Sequence, residues 1–249
     1  MARFRELKQK MRVALTAPDW EQQFSVFADL PERRVTGPLL ALRLDRDEAV
    51  RWHAALGLGR VVARLAGKSL ESARVLMRTL MWYLNEESGN LGWGIPEAMA
   101  EAMVHNKALA REYHTILASY VYCEENCDGN FLDHAELRRG VFWGLGRLAG
   151  TRPDLVAHAE RFLIAALDEP DPHNRGLAAW ALGRLRSRVA PEALRALTQQ
   201  TDPVRIYRDN SLEASSVGQL AAEALESIAS EKSPPEGMGH GKSAQGNEG

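Results

Sequence analysis

The sequence predicts an all-α chain, a right-handed α-solenoid of about five helical hairpins. Three observations predict it. A twelve-residue pattern recurs along the 249 residues. Its recurrences are spaced as stacked helix pairs require. The intervals between them carry apolar residues at helical spacing.

The pattern is clearest at residues 50–61, 137–148 and 174–185. Each copy has arginine in second place (Arg51, Arg138, Arg175) and small residues in the middle. Each ends on Gly-Arg before an aliphatic residue: Gly59-Arg60, Gly146-Arg147 and Gly183-Arg184. Weaker copies occupy residues 92–103, with Pro96 inside, and 217–228, with Ala221-Ala222. The starts at 50, 92, 137, 174 and 217 are 42, 45, 37 and 43 residues apart. Small residues three and four apart lay a smooth stripe on one helix face, so neighbouring helices approach closely. Glycine costs about 1 kcal/mol against alanine within a helix. Its return at one register points to tight backbone approach.

Each unit needs a first helix. The candidates are residues 38–43, 69–84, 109–122, 155–167 and 190–199. Asp45-Arg46-Asp47 places an N-capping aspartate before the second helix of the first unit. Pro170 and Pro172 break the chain before residue 174. Gly94-Ile95-Pro96 fits a helix start with proline in the first turn.

These segments resemble HEAT repeats, in particular the PBS-lyase HEAT-like repeats of bacterial proteins, over about residues 31–229. The resemblance implies stacked helix pairs and a concave binding face. HEAT arrays host adaptors, lyases and hydroxylases alike, so it does not fix an activity. Di-iron HEAT hydroxylases use His-Glu pairs at helix starts, and no adjacent His-Glu pair occurs here. The bilin-lyase resemblance supplies no catalytic motif to carry over.

Residues 1–30 read as an N-terminal helical cap, with Phe4, Leu7, Met11 and Leu15 at helical spacing and a second helix starting near Pro18-Asp19. Residues 230–249 read as a disordered C-terminal tail, rich in Ser, Pro and Gly. Apolar residues make up 45% of the chain and the formal net charge is -2, which gives no overall drive toward nucleic acid or an anionic membrane. Arg51, Arg138, Arg139, Arg147, Arg175 and Arg184 recur along the array, but acids are as frequent, and the expected role of these arginines is pairing with the aspartates of neighbouring turns. The N-terminus lacks the apolar run of a secretory signal, and two cysteines form no disulfide framework; the expected compartment is the cytoplasm.

Two long loops break the repeat rule, and such insertions often carry binding. Residues 85–97 contain Glu86, Glu87, Trp93 and Glu97, with Trp82 just before them. One reading is a recognition loop with Trp93 as anchor and the glutamates toward a cation or a basic partner; the other is an elaborate interhelical turn. Residues 123–136 contain Cys123, Cys127, Asn130 and His134. Cys123, Cys127 and His134 offer three zinc ligands, but their spacing is not a strong zinc pattern and a fourth ligand would have to be Asp133 or Glu136. The bland reading is a polar loop with Asp133 capping the next helix. The leading expectation is a non-catalytic scaffold whose partner is another protein, with no cofactor. Its site would comprise Trp82, Glu86, Glu87, Trp93, Glu97, Asn130 and His134. The alternative is an enzyme or accessory subunit with a metal in the second loop.

Overall fold

Every recurrence of the pattern forms the second helix of a pair. The computed structural model describes residues 2–85, 92–122 and 130–230. Helices α1 (Ala2–Thr16) and α2 (Trp20–Ser25) precede the array. The pairs are α3 (Glu32–Leu42) with α4 (Glu48–Lys68), α5 (Leu70–Leu84) with α6 (Ile95–His105), and α7 (Lys107–Ser119) with α8 (Ala135–Ala149). The fourth pairs α9 (Pro153–Val156) and α10 (Glu160–Ala165), joined and followed by short 3-10 turns, with α11 (Pro172–Leu185). The fifth pairs α12 (Pro191–Leu197) with α13 (Val217–Ala229). The second helices α4, α6, α8, α11 and α13 stack in succession, which makes the chain an α-solenoid.

The turns start where side-chain chemistry dictates. Asp47 caps α4, accepting from the amides of Ala49 at 2.9 Å and Val50 at 3.3 Å. Asp171 caps α11 through the Asn174 amide at 3.0 Å, with Pro172 in the first turn. Gly94 enters α6 at φ 73°, a left-handed conformation that other residues rarely adopt.

One expected cap is corrected. His134, not Asp133, holds the N-cap position of α8, and neither side chain caps it. The buried Arg138 reaches back instead and donates from Nη1 to the carbonyls of Leu132 at 2.7 Å and Asp133 at 3.0 Å. An arginine one turn into the helix thus fixes the approaching chain without a carboxylate cap.

Two of the repeat arginines pair with aspartates of neighbouring turns as expected, whereas Arg51, Arg138 and Arg147 pair with Glu48, Glu169 and Glu101 instead. Arg139 donates from Nε to Asp171 at 3.1 Å, and Arg175 reaches Asp202 at 3.3 Å. The glycines let the second helices touch backbone to backbone. A Cβ on Gly59 would lie 2.5 Å from the Ala98 carbonyl oxygen of α6, and one on Gly183 would lie 2.6 Å from the Ala224 Cα of α13. Gly59→Val is therefore expected to cost about 3 kcal/mol or more, because rigid backbone cannot yield to the added methyls. Urea denaturation checks this, and a wild-type midpoint would contradict the close approach.

The repeat frame does not predict one element. Strands β1 (Pro203–Arg208) and β2 (Ser211–Ser216) form an antiparallel hairpin between α12 and α13, with Arg208 opposite Ser211. Asp209 (φ 49°) and Asn210 (φ 61°) make its two-residue turn, the left-handed pair that matches strand twist.

Candidate binding site on the inner face

The stacked second helices form one face, and the hairpin lies across it. Its anchor is Tyr207, which is buried. The Tyr207 ring stacks on Trp52 of α4 with centroids 4.9 Å apart, and meets the edge of His53 at 5.7 Å. The Tyr207 carbonyl accepts a 2.7 Å hydrogen bond from the Trp143 indole of α8. Arg205 on the same strand pairs with Glu48 at the start of α4. A segment of the last repeat is thereby fastened to the first. His53 is also buried, with Nδ1 2.6 Å from the Leu15 carbonyl and its ring stacked 4.7 Å from Trp20.

The hairpin divides the inner face into two cavities. The lower one, about 470 Å³, lies among Arg60, Glu101, Arg147, Trp180, Arg184 and Glu223. At its side Glu101, fully buried, gathers charge from three directions: Arg60 at 3.1 Å, Arg147 at 3.1 Å and His105 at 2.8 Å. Burial alone would raise the Glu101 carboxyl, but the His105 hydrogen bond and the charges of Arg147, His105 and Arg60 outweigh it and hold it at about 2.

The upper cavity, about 710 Å³, has Trp52, Trp93 and Trp143 among its walls. Glu97 lies at its side against Gly140 of α8, where a Cβ would come within 2.6 Å of both carboxylate oxygens. Burial pushes the Glu97 carboxyl up to about 7, opposed by its own backbone amide and by Arg43. Arg43 is buried too, and burial lowers it to about 10. Its Nη1 donates to the Trp93 carbonyl at 2.5 Å, which ties the loop before α6 to the end of α3.

The structure brings together some of the expected site residues. Trp93 and Glu97 share the upper cavity, and His134 meets the Trp93 ring edge-on at 5.5 Å. Trp82 does not join them. It stands 54% exposed on α5, edge-on to Tyr83, because Leu80 and Leu84 turn the opposite side of that helix into the core. Asn130 is exposed and donates to Ser119 at 3.1 Å, away from the cavity. Glu86, Glu87, Cys123 and Cys127 lie outside the described residues. Among the described residues, no group of three or more His, Cys, Asp and Glu is arranged to hold a metal ion.

Sequence reasoning missed the hairpin residues of the site. A signal was available: the β-branched and aromatic run Val204-Arg205-Ile206-Tyr207 leads into the turn residues Asp209-Asn210, a hairpin pattern rather than a helical one.

The sequence from α8 to the end of the hairpin also matches a known family. Residues 131–216 match the family of HEAT repeats. This segment is similar to HEAT repeats. It holds Trp143 and the hairpin, which line both cavities. No curated protein matches the chain. Solved structures similar to it include the designed armadillo repeat protein YIII(Dq.V1)4CPAF in complex with peptide (KR)4, at 18% identity over 90% of this chain and 99% of that one, TM-score 0.48. Another is the archaeal HEAT-like repeats protein from Thermococcus onnurineus NA1, at 12% identity over 90% and 97%, TM-score 0.35. These superpositions are loose, and the α-solenoid is read from the chain's own helix pairing. Among the described residues no helix is long and apolar enough to cross a membrane.

Proposed function

We propose that this chain is a non-catalytic protein-binding scaffold that seats part of its partner in the upper cavity of the inner face. The observation that carries the reading is the cavity itself: about 710 Å³, walled by three tryptophans and rimmed by paired charges. Aromatic side chains held rigidly beside a polar rim are the composition of binding hot spots. Trp93 is the proposed anchor. It is half-buried on the loop before α6, braced by His134 and by the Arg43 bond to its carbonyl.

The test is capture of the partner from extract of the producing cell, on immobilised full-length protein. Trp93→Ala is expected to weaken capture by about tenfold or more, the effect of losing about 2 kcal/mol at a hot spot. Its melting temperature reports whether the fold is intact. A folded Trp93→Ala protein that retains the same partner with the same affinity would overturn the reading.

A further inference from the structure

We propose that the upper cavity takes a basic side chain of the partner, an arginine guanidinium or a lysine ammonium, with Glu97 as its counter-charge and Trp52, Trp93 and Trp143 as its walls. The inference rests on the scaffold reading and names the chemistry of the segment seated there.

Glu97 is the starting point. Its Oε2 is shielded from solvent and accepts no hydrogen bond. Folded proteins rarely leave such an acceptor unpaired, because its desolvation is uncompensated. Arg43 attracts the Glu97 carboxylate but leaves this oxygen unbonded: its Nη1 is on the Trp93 carbonyl, its guanidinium lies 5.2 Å from the Tyr83 ring centroid, and its Nε is buried without a partner. Gly140 leaves room for the carboxylate that any other residue would fill.

The cavity lining carries four arginines, Arg43, Arg51, Arg139 and Arg205, and four acids, Asp45, Glu48, Glu97 and Glu136. Arg139 is paired with Asp171, while Arg51 and Arg205 share Glu48. Asp45 is held by Arg12 at 2.9 Å. Glu136 adds an exposed carboxylate at the rim. Among these acids Glu97 is the one with a shielded carboxylate oxygen that has no hydrogen-bond partner, and that oxygen is the acceptor offered to a guest's N–H. Tryptophan faces attract a cation through their quadrupoles, and more strongly where water is excluded.

Protonation supplies a second signature. Burial raises Glu97 to about 7, so a bound cation, which requires the ionised form, is held more tightly as pH rises from 6 to 8. His173 also lines the cavity, and burial lowers its pKa below the ordinary imidazole value, so whatever charge it loses as pH rises acts in the same direction. Glu97→Gln separates the two, since only the Glu97 contribution disappears.

The experiment titrates the full chain with end-blocked tripeptides Ala-Arg-Ala, Ala-Lys-Ala, Ala-citrulline-Ala and Ala-Glu-Ala, read by calorimetry and tryptophan fluorescence. Expected is saturable binding of the arginine or lysine tripeptide, about tenfold tighter than the neutral citrulline one. Glu97→Gln abolishes that preference and most of the pH dependence. Trp93→Leu, which keeps an apolar wall, reduces the preference for the cation, and melting curves show that both variants are folded. Equal binding of arginine and citrulline tripeptides, tighter binding of the glutamate tripeptide, or no saturation by any tripeptide overturns the proposal. If partner capture depends on Trp93 but is unchanged in Glu97→Gln, the charge assignment fails and the scaffold reading stands. If capture ignores Trp93, the scaffold reading fails whatever the tripeptides do.

Discussion

Glu101→Ala is expected to destabilise the protein by about 3 kcal/mol, the lower end of the cost of breaking a buried ion pair. Glu101 is fully buried on α6, and it joins Arg60 of α4 to Arg147 of α8. Removing it leaves Arg147 without this counter-charge and Arg60 with Glu21 alone. The cost stays at the lower end because the Arg60 and Arg147 side chains are 29% and 33% exposed and can recruit water. Denaturant unfolding measures the loss. A double-mutant cycle assigns it, since Arg147→Ala should cost less in the Glu101→Ala background than in wild type.

The same residue sets a pH signature. Its carboxyl lies at about 2 in the fold, below the ordinary 4.5. A depressed carboxylate contributes stability that is present above the unfolded value and is lost as pH falls through the folded one. Stability should therefore drop between about pH 5 and pH 2 by up to about 3 kcal/mol at 1.36 kcal/mol per unit. Glu97 slopes the other way, because its raised pKa gives stability that is present below 4.5 and lost as pH rises through about 7. An acid limb that survives intact in Glu101→Ala would remove this residue as its source.

Most of the array was legible because helix stacking writes itself into small residues. Gly59, Gly146 and Gly183 stand at one register since each lies against a neighbouring helix with no space for a Cβ. Asp47 was legible as a cap for a local reason, standing directly before the first free amides of α4, whereas at Asp171 only the proline break was legible. Glu101 was not legible. It sits in the weakest copy of the pattern, where Glu101-Ala102 replaces the Gly-Arg of the stronger copies. That departure is complementary: the arginines of the copies on either side converge on the acid between them. Departures from a repeat consensus are legible only when the flanking repeats are placed in space.

The site shows a similar division. Trp93 and Glu97 interrupt the helical rhythm, and both reach the inner face. Trp82 is their close neighbour in sequence but not in space, because α5 turns it away from the cavity. Proximity along a helix carries no direction without its core-facing residues, here Leu80 and Leu84. The hairpin escaped a reading tuned to a helical period because its information is in a β-branched and aromatic run and in a two-residue turn.

Tyr207→Ala is expected to cost about 3–5 kcal/mol, the range for truncating a buried aromatic side chain. The ring is in contact with Trp52 and His53, and its hydroxyl, raised to about 12 by burial, faces the Trp20 indole. Beyond its size, the effect should have a distinct form. A solenoid holds together through nearest-neighbour contacts, so its ends unfold almost independently. Here Tyr207 and Arg205 fasten the hairpin of the last repeat onto α4 in the first, which couples the two ends directly. Tyr207→Ala should therefore broaden the unfolding transition as well as shift it, with Trp52 and Trp143 emission moving to the red before helicity is lost. Tyr207→Phe keeps the stack and should be close to neutral or slightly stabilising, because the Tyr207 hydroxyl is shielded from solvent without a hydrogen-bond partner. Fluorescence and circular dichroism melts that remain coincident in Tyr207→Ala would show that the hairpin does not couple the ends, and that the inner face can open without disturbing the array.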